Sequence, residues 1–194
     1  MALNRDLVEA ARVSARTLNG QFPPLWMGGV DACEVTYPQF AASPAELGSG
    51  GTYFHLARVS TAGPFEGATC LFGRGGTGSR LVLSLYVESA PGVFRLRGAT
   101  NDLVSHAASA VGEVSGSFGV PVQVEVGDLV VLGLSWATSG SGSAPSVGQR
   151  AGVLPVRAPY GLQVRQASVT SPPSTLTFQS MTVGDRAPWI GLYK

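Results

Sequence analysis

Leu81, Leu83, Leu85 and Val87 fall at alternate positions of one run, with Val82, Ser84, Tyr86 and Glu88 between and after them. Successive side chains of a strand point to opposite faces, so this run reads as a strand with one wholly apolar face. A strand of that kind needs a second layer to cover it. A second run over residues 129–136 carries Leu129, Val130, Val131, Leu132, Leu134 and Trp136 and is apolar on both faces, which places it centrally in a sheet rather than at an edge.

The rest of the chain repeats this signal in shorter form. Strands are expected over 53–60, 68–72, 93–97, 103–107, 120–126, 162–169, 176–183 and 189–193. The turns between them are marked by Gly73 to Ser79, Ala90-Pro91-Gly92, Gly127-Asp128 and Ser171-Pro172-Pro173. No helical pattern is interleaved with the strands, so the expected fold is all-β: an antiparallel β-sandwich of jelly-roll type over residues 52–194. Residues 138–148 are rich in Ser and Gly and read as a loop tip.

Residues 1–51 have a different character. Leu3, Leu7, Ala10, Ala11, Ser14 and Leu18 form one stripe of a short helix, opposite Arg5, Glu9, Arg12 and Arg16, and Asn19-Gly20 ends it. The stripe must be covered, either by the chain's own sandwich or by a neighbouring subunit. From residue 21 to 51 the chain reads as an extended arm. Pro23, Pro24, Pro38 and Pro44 stiffen it, Phe22, Leu25, Trp26, Tyr37 and Phe40 give it apolar anchors, and Gly48, Ser49, Gly50 and Gly51 close it. Leu3, Leu7, Leu18, Phe22 and Trp26 are the candidate assembly contacts.

Charged residues make up only 13% of the 194-residue chain and apolar residues 44%. That charge content is about half of what a soluble domain usually carries, which suggests surface buried in an assembly. The net charge of +1 provides no field to attract nucleic acid, and no stretch is long and apolar enough to insert in a membrane. Two cysteines, Cys33 and Cys70, are too few for a disulfide framework. They are expected as buried thiols, with a single bridge as the alternative. Asn4, Arg5, Asp6, Glu9 and Arg12 interrupt any signal-peptide core, so synthesis without export is expected.

Little of the chain suggests catalysis. Gly73-Arg74-Gly75-Gly76-Thr77-Gly78 matches a dinucleotide-binding spacing, but a strand follows it where a helix N-terminus would have to face a pyrophosphate, so it reads as a hairpin loop. Residues 133–137 lack the final glycine and the helix of a nucleophile elbow. His55 and His106 are the only histidines, each in an expected strand, and no metal or cofactor site is called. Trp26, Trp136, Trp189, Tyr37 and Tyr160 could together form a sugar-stacking platform, although Trp136 and Trp189 fit a core better. Tyr160, between Pro159 and Gly161, is the candidate ligand contact.

The order of these strands also carries a resemblance. Residues 53–59, the Leu85-Tyr86 strand with its turn into Phe94-Arg95-Leu96, Val120-Pro121-Val122, residues 126–133 and Ile190-Gly191-Leu192-Tyr193 resemble the jelly-roll modules of bacteriophage minor tail and host-attachment proteins, particularly of phages infecting actinobacteria. The resemblance implies a virion structural protein, commonly a homotrimer, that joins other virion proteins or contacts a host cell-envelope glycan. It implies no catalytic residues. A minor tail or tail-tip protein held by residues 1–51, with the sandwich presented outward, is therefore the first expectation. A capsid decoration or head-fibre protein and a free carbohydrate-binding module are the alternatives.

Overall fold

The computed structural model describes residues 32–35, 43–46, 51–59, 61–74, 78–109, 112–138, 146–151, 163–166, 171–177, 182–183 and 186–194. Their elements are β1 (Ala32–Val35), β2 (Ser43–Glu46), β3 (Gly51–Arg58), β4 (Gly63–Arg74), β5 (Gly78–Ala90), β6 (Val93–Ala99), α1 (Val104–Ser109), β7 (Gly112–Val124), β8 (Leu129–Thr138), β9 (Ser146–Ala151), β10 (Gln163–Gln166), β11 (Thr175–Thr177), β12 (Thr182–Val183), β13 (Arg186–Pro188) and β14 (Ile190–Tyr193). They form two antiparallel sheets packed as a sandwich, the class the alternating runs predict. One sheet runs β11-β6-β5-β8-β3-β10-β12. The other is built on β4, with β7 along one side, β14 and β9 along the other, and β1, β2 and β13 attached to those two.

β5 and β8 lie side by side in the middle of the first sheet, as their hydrophobicity requires. Their register aligns the apolar faces in rows: Gly51, Trp136 and Leu81; Tyr53, Leu134 and Leu83; His55, Leu132 and Leu85; Ala57, Val130 and Val87. Against these rows pack Phe65, Ala68, Cys70 and Phe72 of β4, Val114, Phe118, Val122 and Val124 of β7, and Ile190 and Leu192 of β14. A bulge at Glu66 shifts the alternation of β4, so that Phe65 and Ala68 both point inward. Leu83 has no exposed surface and sits mid-strand. Leu83→Ala is expected to cost about 2–5 kcal/mol, read as a lower urea midpoint at unchanged slope.

The other face of the first sheet is apolar too. Phe54, Leu56, Tyr86, Phe94, Val131 and Leu176 form a second buried cluster there, with Leu96 and Leu129 packed against it. Chain length explains how this sheet shapes itself. β11 and β12 are its two outermost strands, six strand spacings or about 29 Å apart if the sheet were flat. Residues 177 and 182 are joined by a chain that can reach only about 18 Å. The sheet is therefore not flat. Gly133 stands in register between Phe54 and Ser84, Tyr86 is opposite Val131, and the Phe54 and Tyr86 rings meet edge to face at 5.8 Å between centroids.

Four local expectations are corrected, the first being the single strand over 176–183, which is instead β11 and β12 at opposite ends of the first sheet's order. Residues 103–107 were expected as a strand, but the chain forms α1. Asp102 Oδ1 accepts hydrogen bonds from the backbone N–H of Leu81 (2.9 Å) and of Val104 (3.0 Å), tying the helix start to β5 and diverting the backbone from a ladder. His106 thus stands on a helix. The stretch 73–78 is not a hairpin, because β4 and β5 belong to different sheets and the chain crosses between them there. Part of the expected loop 138–148 is strand, since β9 starts at Ser146.

Candidate functional site

Tyr160, Leu3, Leu7, Leu18, Phe22 and Trp26 lie outside the described residues, as does the whole expected N-terminal helix. Tyr37 lies outside them too, and the remaining candidates are placed. His55 is on the inner face of β3 and 1% exposed, and burial lowers its pKa to about 4, so it is neutral at physiological pH. His106 is exposed on α1. Trp136 and Trp189 are each 1% exposed, which removes both from any sugar-stacking platform. Cys70 is a free thiol in the core, pushed up to about 12 by burial and by the nearby Glu113. At that value it is a packing residue and not a nucleophile.

The densest polar grouping is on the outer face of β4 and β7. Thr69 donates from Oγ1 to Glu113 Oε1 at 2.6 Å, and Ser115 Oγ donates to Thr69 Oγ1 at 3.0 Å. Burial raises the Glu113 carboxyl above its usual range, with the Thr69 hydrogen bond offsetting part of the shift. A hydroxyl beside a carboxylate is the start of a nucleophile–base pair, but Thr69 is completely buried and offers no substrate access. The neighbouring row pairs Tyr193, Gly67 and Ser117 across three strands. The Tyr193 side chain lies over Gly67, where a β-carbon would collide with it, and its hydroxyl stands 3.3 Å from Ser117 Oγ. An aromatic side chain laid over a glycine of the next strand covers exposed backbone, a structural role.

The feature with most interaction capacity is the edge of the β4 sheet on the side away from β7. β14 and β9 occupy that side of β4 in succession, pairing with its residues 67–70 and 72–74. Beyond them, β1 pairs with β14 through Ala32 opposite Tyr193 and Val35 opposite Gly191, and β2 pairs with β9 through Ser43 opposite Gln149 and Glu46 opposite Ser146. Both pairings are antiparallel, so β1 and β2 run in the same direction as β4 and form one interrupted edge strand. The expected arm thus contributes two strands to the sandwich. Sequence reasoning missed them because four-residue pieces are too short to display a period, and Pro44 argues against a strand except at an edge.

Along the opposite edge, the pairing described for β7 outside β4 is a single bridge from Phe118 to Thr100. Phe118, Gly119, Val120 and Pro121 stand opposite Glu66 alone, so the strand bows outward, leaving Val120 74% exposed and Pro121 without a donor. Bulge and proline together protect this edge against another strand.

The chain matches no protein-family model, and no curated protein is similar to it in sequence. Among the described residues, no group of three or more His, Cys, Asp or Glu is placed to hold a metal ion, and no helix is long and apolar enough to cross a membrane.

Proposed function

We propose that this chain is a structural virion protein of a bacteriophage, a minor tail or tail-tip component that assembles with itself and other virion proteins and presents its sandwich at the particle surface. The observation that carries the reading is the arm: residues from the proline-rich segment before the sandwich form a separate edge strand along it. A sheet extended by an N-terminal arm suits a protein whose task is to be held in an assembly. The low charge content and the strand order set out above support the same reading. A homotrimer and contact with a host cell-envelope glycan belong to this proposal.

Antibody raised against the full chain and applied to purified particles of the encoding phage tests it by electron microscopy. Label at the tail tip is the expected result. Label confined to the head transfers the proposal to a capsid decoration protein, and particles free of both label and chain overturn the virion reading.

A further inference from the structure

We infer that the edge strands β1 and β2 are exchanged between copies of this chain, so that the arm of one subunit pairs with β14 and β9 of its neighbour. This rests on the reading of the chain as an assembly protein and names the contact through which it assembles. The interaction surface is the main-chain edge of β14 at Gly191–Tyr193 and of β9 at Ser146–Gln149, and the partner is residues 32–46 of a second copy.

Four features carry the inference. Main-chain pairing is identical whether the added strand comes from the same chain or from another, so exchange loses none of the pairing seen in one chain. The hold of the arm on its own body is short and broken: β1 and β2 are four residues each, the β1 register shifts between Ala32 and Glu34, and Pro44 sits inside β2 without an N–H. The link to the body is Leu47, Gly48, Ser49 and Gly50, followed by Gly51 at a φ of 141°, a backbone state that L side chains rarely adopt. From Glu46 to Gly51 this link reaches about 18 Å, more than the about 10 Å between packed sheets, so it can lead to an adjacent subunit as readily as to its own edge. Finally, an arm withdrawn from its own sheet would leave β14 and β9 as open edges, while β7 on the far side is protected by its bulge. Of the two described sides of the β4 sheet, the one without such a bulge is therefore the one the arm fills.

The register supplies the test, because Ala45 stands opposite Val147. Two full-length proteins are made in a background with Cys33→Ser and Cys70→Ser, one carrying Ala45→Cys and the other Val147→Cys, each with its own tag. They are co-expressed, purified through both tags in turn, oxidised and run on a non-reducing gel. Antiparallel partners stand within disulfide range, so exchange predicts a covalent dimer bearing both tags as the major product. A double variant carrying both cysteines reports the closed alternative. If it cross-links within one chain and the mixed pair gives no covalent dimer, exchange is overturned. If neither cross-links, the β2–β9 pairing itself fails and the inference with it. Particle labelling remains an independent readout, so loss of exchange leaves the virion reading standing on its own result.

Discussion

Trp136→Ala is expected to be the most damaging single substitution among the described residues, lowering stability by about 3–5 kcal/mol. Trp136 is 1% exposed at the end of β8, in register with Gly51 on one side and Leu81 on the other. Its ring lies 5.9 Å from that of Phe72, so it joins the two sheets at the point where the chain crosses from β4 to β5. Gly78, the first residue of β5, has no room for a β-carbon because the indole ring occupies that space. Truncation would leave a cavity between three backbones that cannot easily close. Trp136→Phe should cost much less, because it keeps most of the ring and removes a buried indole N–H that has no hydrogen-bond partner. Urea denaturation of the three proteins decides: an Ala variant within about 1 kcal/mol of the parent would mean that the ring does not pack between the sheets.

The parts of the fold that could be read from the chain are those where one residue pattern reports one physical demand. Leu81, Leu83 and Leu85 alternate because one face of β5 meets the main core, and the run of β8 is apolar throughout because both of its faces are buried, whereas the burial of Val82, Ser84 and Tyr86 on the second face of β5 was not legible. The second cluster makes this concrete: Val131 and Leu129 point away from the main core yet are covered, and Phe54 and Tyr86 lie on the same side. What stayed hidden depends on partners distant in sequence. The Leu103, Ser105 and Ala107 spacing is compatible with a strand, and only Asp102, through bonds to both Leu81 and Val104, decides for a helix. Gly73 to Gly78 look like a hairpin turn, and nothing local reveals that the strands on either side belong to different sheets. β1 and β2 are strands only because β14 and β9 offer them edges. Of the candidate site residues, Trp136 and Trp189 were legible as core, whereas Tyr160 and the anchoring contacts Leu3, Leu7, Leu18, Phe22 and Trp26 fall outside the described residues.

Acid should weaken the sandwich between about pH 6.5 and 4, and His55 is the residue expected to cause it. In the unfolded chain its imidazole takes up a proton near 6.5, while in the core burial holds its pKa at about 4. Between those values the unfolded state binds the extra proton, so stability rises with pH across this window. The contribution is complete above about 6.5 and lost as pH falls toward 4, a change of about 3 kcal/mol at 1.36 kcal/mol per pKa unit. Glu113 works in the opposite direction. Its carboxyl is raised in the folded state, which binds that proton first as pH falls, offsetting part of the loss. The two are separable by substitution. His55→Leu places an apolar side chain beside Leu132 and in the row of Leu85, and should flatten the dependence of unfolding free energy on pH between 6.5 and 4. Glu113→Gln should steepen it. Urea titrations of the parent and both variants at pH 7, 5.5 and 4.5 measure these slopes. If the difference between parent and His55→Leu is the same at all three pH values, His55 is not held neutral in the core and its placement on the inner face of β3 is wrong.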